Sequence, residues 1–246
     1  MSINQLKQGF RLITSIFGLL RRRQSYGTFM KIYSECKFDA GFIRSYSQIA
    51  EDLVLMFYLK DEVNKTYIDV GCNDPNRFSN TRLLYEAGWT GIDIDANLDF
   101  AISYLRSRPK NLFINALIGT SLQPIEFYRF AESALNTTSA SLAGEYIRDG
   151  WELLCTEERT PQSLSSVIIE NLNGSAPTLL CLDCEGADFD VLKSADLQRF
   201  KSKWIMFESH YYADGKRDAS VTGYLQSLGY TITCTLPQSI LMRYLE

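Results

Sequence analysis

The chain has one histidine, His210, among 246 residues. That scarcity excludes a Cys/His zinc site and any centre built on several imidazoles. No stretch reaches the roughly 18 consecutive apolar residues that a membrane-spanning helix requires. The net charge of −4 supplies no general basic face for nucleic acid. The six cysteines are scattered. Cys181 and Cys184 have CxxC spacing but no second pair beside them, and Leu180-Cys181-Leu182 reads as a buried strand. They read as reduced thiols of a cytosolic protein, packed rather than redox-active.

Residues 1–34 lack acids altogether and carry six bases: Lys7, Arg11, Arg21, Arg22, Arg23 and Lys31. Ile3, Leu6, Phe10, Ile13, Phe17 and Leu20 fall on one helical face, so the segment reads as a basic amphipathic helix. Three uses fit it: packing on its own domain, lying on a membrane or partner through residues 1–30, or a transit peptide. The main charge cluster follows the apolar stretch, which is the reverse of a secretory signal. Residues 1–44 are therefore set apart as an extension, and 45–246 as the main domain.

Within that domain, helical and strand patterns alternate. Helices are expected over 45–59, from Ser79 or Asn80 to Ala87, and over 98–106, 145–154, 164–171, 188–200 and 218–228. Strands are expected at 67–70, 91–95, 111–114, 125–129, 178–183 and 204–208. Two further strands, 230–235 and 240–244, are joined too closely for a crossover and must be antiparallel. Alternation of this kind predicts a mostly parallel sheet with helices on both faces. Residues 131–162 read largely as a polar loop of the length used for lids and binding.

The strand at Tyr67–Val70 runs into the turn Gly71-Cys72-Asn73-Asp74-Pro75, and the next strand ends in Asp95. Such a strand–turn–helix–strand unit builds a nucleoside site, with the second acid on the ribose hydroxyls. The turn lacks the second and third glycines that let a helix meet a dinucleotide pyrophosphate. Asp69 and Asp74 also disfavour phosphate. An NAD-dependent oxidoreductase or epimerase is thus the weaker reading, and S-adenosylmethionine, a cationic nucleoside without phosphate, the stronger.

Several motifs converge on one resemblance. They are Ser47-Gln48-Ile49-Ala50-Glu51-Asp52, Tyr67-Ile68-Asp69-Val70-Gly71-Cys72-Asn73, Gly91-Ile92-Asp93-Ile94-Asp95-Ala96-Asn97, Asn115-Ala116-Leu117 and Asp183-Cys184-Glu185-Gly186-Ala187. Over residues 45–210 the chain resembles the FkbM family of class I methyltransferases. The resemblance implies a seven-stranded Rossmann-like sheet with an antiparallel last strand, S-adenosylmethionine as cofactor, and methyl transfer to a hydroxyl of a sugar, glycan or secondary metabolite. Asp95-Ala96 stands where that family usually has Glu-Pro, which keeps the carboxylate.

On this reading Asp69, Gly71 and Asn73 hold the methionine end of the cofactor and Asp95 the ribose. Asn115 and Ala116 border the adenine. Gln48, Glu51 and Asp52 close the site, which Asp183 also borders. The base is His210, Glu185 or Asp183. No complete metal-ligand set is legible, although Asp183 and Glu185 together could hold Mg2+. Tyr146, Trp151, Tyr211 and Tyr212 are candidates for the acceptor pocket. The remaining alternative is a non-catalytic membrane- or partner-bound module that keeps the fold.

Overall fold

The computed structural model describes residues 44–209 and 219–245. The amphipathic segment and arginine cluster, together with His210, Tyr211 and Tyr212, lie outside them. Among the described residues the strands are β1 (Thr66–Val70), β2 (Thr90–Asp95), β3 (Leu112–Asn115), β4 (Ile125–Phe130), β5 (Leu153–Arg159), β6 (Leu179–Leu182), β7 (Trp204–Glu208), β8 (Tyr230–Thr235) and β9 (Ser239–Tyr244). The helices are α1 (Glu51–Leu59), α2 (Arg82–Glu86), α3 (Ala101–Ser107), α4 (Ala140–Arg148), α5 (Leu164–Asn171), α6 (Asp188–Ser194) and α7 (Ser220–Ser227). No helix of the described residues is long and apolar enough to cross a membrane.

Seven strands form one sheet in the order β3-β2-β1-β6-β7-β9-β8. Strands β3 to β7 of that sheet are parallel, and β9 runs antiparallel between β7 and β8. The chain winds outward from β1 through β2 to β3, then returns to β6 on the other side of β1. Strand order therefore reverses between β1 and β6, where the carboxyl ends of an open sheet leave a crevice. β4 and β5 form a separate antiparallel ribbon. It leaves and rejoins the body at one point, where Gly119 N–H donates to Gln162 O (3.1 Å) and Gln162 N–H to Leu117 O (2.9 Å).

Side chains alternate across each strand. Ile68, Val70, Ile92 and Ile94 join Leu164, Val167 and Ile168 of α5, Val191 and Leu192 of α6, and Leu225 of α7 in one apolar core. Tyr67 and Asp69 turn to the opposite face, where their hydroxyl and carboxylate meet Arg108 and Thr81. One face of the sheet is thus uniformly apolar, and the other encloses a polar network.

Four local expectations need correction. The first helix starts only at Glu51, after Ala50 in the left-handed region (φ 69°). Asp52 explains why: its carboxylate takes Tyr46 N–H (2.7 Å), Ser45 Oγ (2.7 Å) and Ser47 Oγ (2.9 Å), folding residues 45–47 back onto it. Neither Ser79 nor Asn80 caps α2, because Ser79 is bonded to Arg108 instead. The helix after Asp188 stops at Ser194, just before Asp196 adopts φ 50°. The helix expected at 145–154 is α4 over Ala140–Arg148, with Ser139 capping Leu142 N–H, and residues 153–159 are a strand.

Candidate active site

A cavity opens at the switch point and, its mouth included, encloses about 750 Å³. Its floor is made by the ends of β1, β2 and β6: Val70, Gly71, Ile94, Asp95, Ala96 and Asp183.

The turn after β1 is shaped by contacts within the chain. Gly71 has φ +76°, and a β-carbon there would lie 1.9 Å from Asp183 O. Only glycine lets the ends of β1 and β6 approach so closely. Gly71 and Cys72 N–H both donate to Ile94 O, at 2.9 and 3.1 Å. Asn73 follows in the left-handed region (φ 46°), and its N–H donates to Asp95 Oδ2 at 2.9 Å. Asp95 Oδ1 accepts Asn97 N–H at 2.7 Å. The Asp95 carboxylate thus sits fixed at the tip of β2 with an edge on the cavity. Burial raises its pKa to about 6, against the opposing pull of the Asn97 and Asn73 amides and of Arg129 and Arg159.

Beyond Asp95 the wall is apolar: Ala96, Ala116, Leu117, Ile118 and Phe127, the last from β4. Asn115 stands behind this wall, its side-chain amide donating to Asp95 O and Ala96 O, both at 2.9 Å. Arg159 of the ribbon reaches the same turn, with Nη1 on Ala96 O (2.9 Å) and Nη2 on Asn115 Oδ1 (3.2 Å). The ribbon and the body therefore share the turn that carries Asp95.

Residues 132–138 cross the cavity between β4 and α4. Ser133, Ala134, Asn136, Thr137 and Thr138 line it. Ser133 Oγ bonds Asn73 Oδ1 at 2.9 Å, and Thr137 Oγ donates to Glu185 O at 2.9 Å. The strap is thus tied to the turn after β1 at one end and to the turn after β6 at the other.

Acids gather at the far side. Asp183, Glu185 and Glu208 each offer a carboxylate oxygen within 4.8 Å of the others. Burial, followed by the charges of Glu208, Glu185 and Asp188, holds the Asp183 carboxyl well above the usual range. Asp188 is raised to about 7 by burial and by Glu208. Tyr146 OH donates to Glu185 Oε2 at 2.8 Å, and its ring meets Phe130 edge-on. Glu185 itself holds φ 45°, and Gly186 (φ +90°) passes close beneath Leu142.

The structure brings together on the cavity wall Gln48, Gly71, Asn73, Asp95, Ala116, Asp183 and Glu185. Four other candidates stand off the wall. Asp69 faces the polar network and accepts Thr81 Oγ (2.5 Å). Glu51 is buried at the start of α1, taking Ile49 N–H (2.8 Å). Asn115 is the third, and Asp52 likewise serves the backbone of residues 45–47. Asp74 accepts Asn76 and Arg77 N–H and shapes its own turn, whereas Asp95 lines the cavity. Trp151 is about half exposed and does not line the cavity, and Tyr146 orients Glu185. Sequence reasoning missed Phe78 and Phe127 as lining and Glu208 as the third acid, whereas the strap falls within the 131–162 loop expected to serve binding. Glu208 had a signal, since it ends a strand at the active edge.

A parallel sheet reversing at β1/β6, with an acid at the tip of β2 and an antiparallel strand near one edge, defines a Rossmann-like class I methyltransferase fold. Residues 69–232 match the methyltransferase FkbM domain, and the chain belongs to that family. No curated protein matches the sequence. Among solved structures, an O-methyltransferase from Bacillus cereus in complex with SAH is 10% identical, with 95% of this chain and 96% of that one covered and a TM-score of 0.45. The N-methyltransferase NodS from Bradyrhizobium japonicum, in complex with S-adenosylhomocysteine, is 11% identical over 89% and 99% of the two chains, with a TM-score of 0.43. A TehB-like SAM-dependent methyltransferase from Corynebacterium glutamicum is 8% identical over 90% and 97%, with a TM-score of 0.41. At these scores the likenesses carry nothing about chemistry.

Proposed function

We propose that the chain binds S-adenosylmethionine in this cavity and transfers its methyl group to a hydroxyl oxygen of a sugar, glycan or secondary metabolite. The observation that carries the cofactor half is Asp95: a carboxylate fixed by two backbone amides, open to the cavity, beside an apolar slot of Ala96, Leu117, Ile118 and Phe127. Two ribose hydroxyls fit the first and an adenine ring the second. Gly71 and Asn73 then border the methionine end.

The acceptor half is the acid side. In the transfer the acceptor oxygen forms a bond to the methyl carbon while the carbon–sulfur bond breaks and its electron pair returns to sulfur. The proton of the hydroxyl passes to a carboxylate of the Glu185, Asp183 and Glu208 group. His210 is the competing proton acceptor. The same three oxygens offer Mg2+ a partial ligand set, and a bound cation would instead orient the acceptor. Residues 1–30 are assigned to contact with a membrane surface or partner, with the domain on the cytoplasmic side.

Titration with S-adenosylhomocysteine and with NAD tests the cofactor, and binding of NAD alone would overturn the reading. Incubation with methyl-labelled S-adenosylmethionine and fractionated glycans, lipids and small metabolites tests the acceptor. Label on nitrogen or carbon would overturn oxygen transfer. Loss of turnover in His210→Ala with full turnover in Glu185→Gln would move the base to the histidine.

A further inference from the structure

Arg108 is the largest fully buried side chain of the described residues, 1% exposed. An arginine is almost never so deeply buried unless its charge is paired and most of its donors are used; Nε finds no partner among the described residues, and the two Nη nitrogens carry the contacts. Here Asp93 Oδ1 takes Nη1 at 3.0 Å, and Tyr67 OH lies 3.2 Å from the same nitrogen. Those two partners are strand residues. The other three belong to the segment that leaves β1: Nη1 donates to Thr81 Oγ (2.8 Å), and Nη2 to Pro75 O (2.8 Å) and Ser79 Oγ (2.5 Å).

That segment is the one whose near end, Gly71 and Asn73, and whose middle, Phe78, line the cavity. Phe78 holds φ 56°, a left-handed backbone that a bulky residue adopts only when its neighbours enforce it. Pro75 O and Ser79 Oγ bracket Phe78 in sequence, and both are gripped by the same nitrogen. Thr81 passes the hold on, donating to Asp69 Oδ2 at the end of β1. Asn111 braces the assembly from the side, with Nδ2 on Tyr67 OH (2.6 Å) and Asp93 Oδ2 (2.7 Å).

We infer that Arg108 is a positioning residue for the cofactor: from beneath the sheet it locks residues 75–81 so that Phe78, Asn73 and Gly71 present a preformed wall. The inference rests on the cofactor reading above. The planar guanidinium spans three loop partners at once, which a lysine ammonium on a single axis does not reproduce.

Thr81→Val removes one link of the hold at constant shape, and Thr81→Ser keeps the hydroxyl. Arg108→Lys removes the fork. Three measurements are made on each: S-adenosylhomocysteine affinity by calorimetry, amide hydrogen exchange of the ligand-free protein, and thermal midpoint. The expected result is about tenfold weaker binding for Thr81→Val and more for Arg108→Lys, with Thr81→Ser within about twofold of wild type. Lost exchange protection should concentrate in residues 73–81, with β1, β6 and β7 unchanged. Should Arg108→Lys fail to fold, the threonine pair still decides. A lowered midpoint in Thr81→Val with unchanged affinity and unchanged exchange at 73–81 overturns the inference and leaves Arg108 a core ion pair. Absence of S-adenosylhomocysteine binding to the wild type overturns the cofactor reading instead, and the exchange comparison then judges the hold by itself.

Discussion

Arg77 and Glu132 face each other fork to fork, with Nη1–Oε1 at 2.9 Å and Nη2–Oε2 at 2.8 Å, each one residue before a cavity-lining residue, Phe78 and Ser133. One residue belongs to the turn after β1 and the other to the strap, so the pair ties the turn to the strap beside the cavity. Half of the Arg77 side chain is exposed. Exposed pairs of this kind contribute about 0–1 kcal/mol, enough to bias a cover and too little to hold the fold. Glu132→Gln should therefore leave the thermal midpoint within a few degrees of wild type. Release of S-adenosylhomocysteine, followed by stopped flow, should become about two- to fivefold faster, with the wild-type rate approaching that of the variant at high salt. An unchanged release rate would remove the clasp from the mechanism.

Asp95 supplies a pH dependence with two opposite signs. Its carboxyl is raised from 3.8 to about 6 by burial, so the folded chain holds this proton more tightly than the unfolded one. Its share of stability is greatest below the lower value and declines as pH rises through the window. On the proposed reading cofactor affinity runs the other way, because ribose hydroxyls would donate to the ionised form. Affinity for S-adenosylhomocysteine should fall as pH drops through about 6. Asp95→Asn should flatten that profile and weaken binding on the order of a hundredfold, the loss of two hydrogen bonds to a charge. A profile unchanged by the substitution would place the ribose elsewhere.

Gly71→Ala tests the junction under the cavity. Its added carbon would fall 1.9 Å from Asp183 O at a φ of +76°. The contact is with backbone, so no side chain can swing aside. The cost should be on the order of 3 kcal/mol or more in urea unfolding. A smaller cost would mean that β1 and β6 separate readily, and with them Asn73 and Asp183.

How much of this was legible depended on whether a residue's role is local. The strand at Trp204–Glu208 and the helix at Leu164–Asn171 fall at the expected residues, because buried apolar runs and periodic faces are properties of the local sequence. Asp95 at a strand tip and Gly71 in a turn were legible for the same reason. Asp69 was not, since its direction depends on strand parity and on Thr81 and Arg108, which lie far along the chain. Glu51 and Asp52 read as site residues on their motif, yet both carboxylates serve backbone near the start of α1. β5 was hidden because Cys155-Thr156-Glu157-Glu158 is polar and largely exposed; pairing with β4, not composition, makes it a strand.

Tyr146→Phe isolates the orientation of Glu185. The hydroxyl donates to Glu185 Oε2 while the ring is packed on Phe130, so the variant keeps the packing and loses one bond. Cofactor affinity should stay within about twofold of wild type, since Tyr146 is off the cofactor half. Methyl transfer to the identified acceptor should slow about tenfold, the effect of one lost hydrogen bond on a reacting group. Equal loss in both measurements would mean that Tyr146 supports the fold of α4 instead.

The proposed division of work between Asp183 and Glu185 in the acid cluster is tested by their amides, which separate the two uses of it. Burial and the charges of Glu208, Glu185, Asp188 and Asp69 hold the Asp183 carboxyl well above the usual range, which biases it toward its protonated form. A carboxyl biased toward its protonated form is the poorer proton acceptor, so the proposed acceptor is Glu185, with Glu208 beside it. Asp183→Asn imitates the protonated acid and should keep transfer within about tenfold of wild type. Glu185→Gln should lose about a hundredfold or more, the usual contribution of a general base, while still binding S-adenosylhomocysteine. A magnesium ion would reverse the first result: its charge would draw the proton from Asp183, and Asp183→Asn would then fall as far as Glu185→Gln. Dialysis against EDTA supplies the independent arm. Full transfer after chelation assigns the cluster to proton removal, and loss that added Mg2+ restores assigns it to the cation.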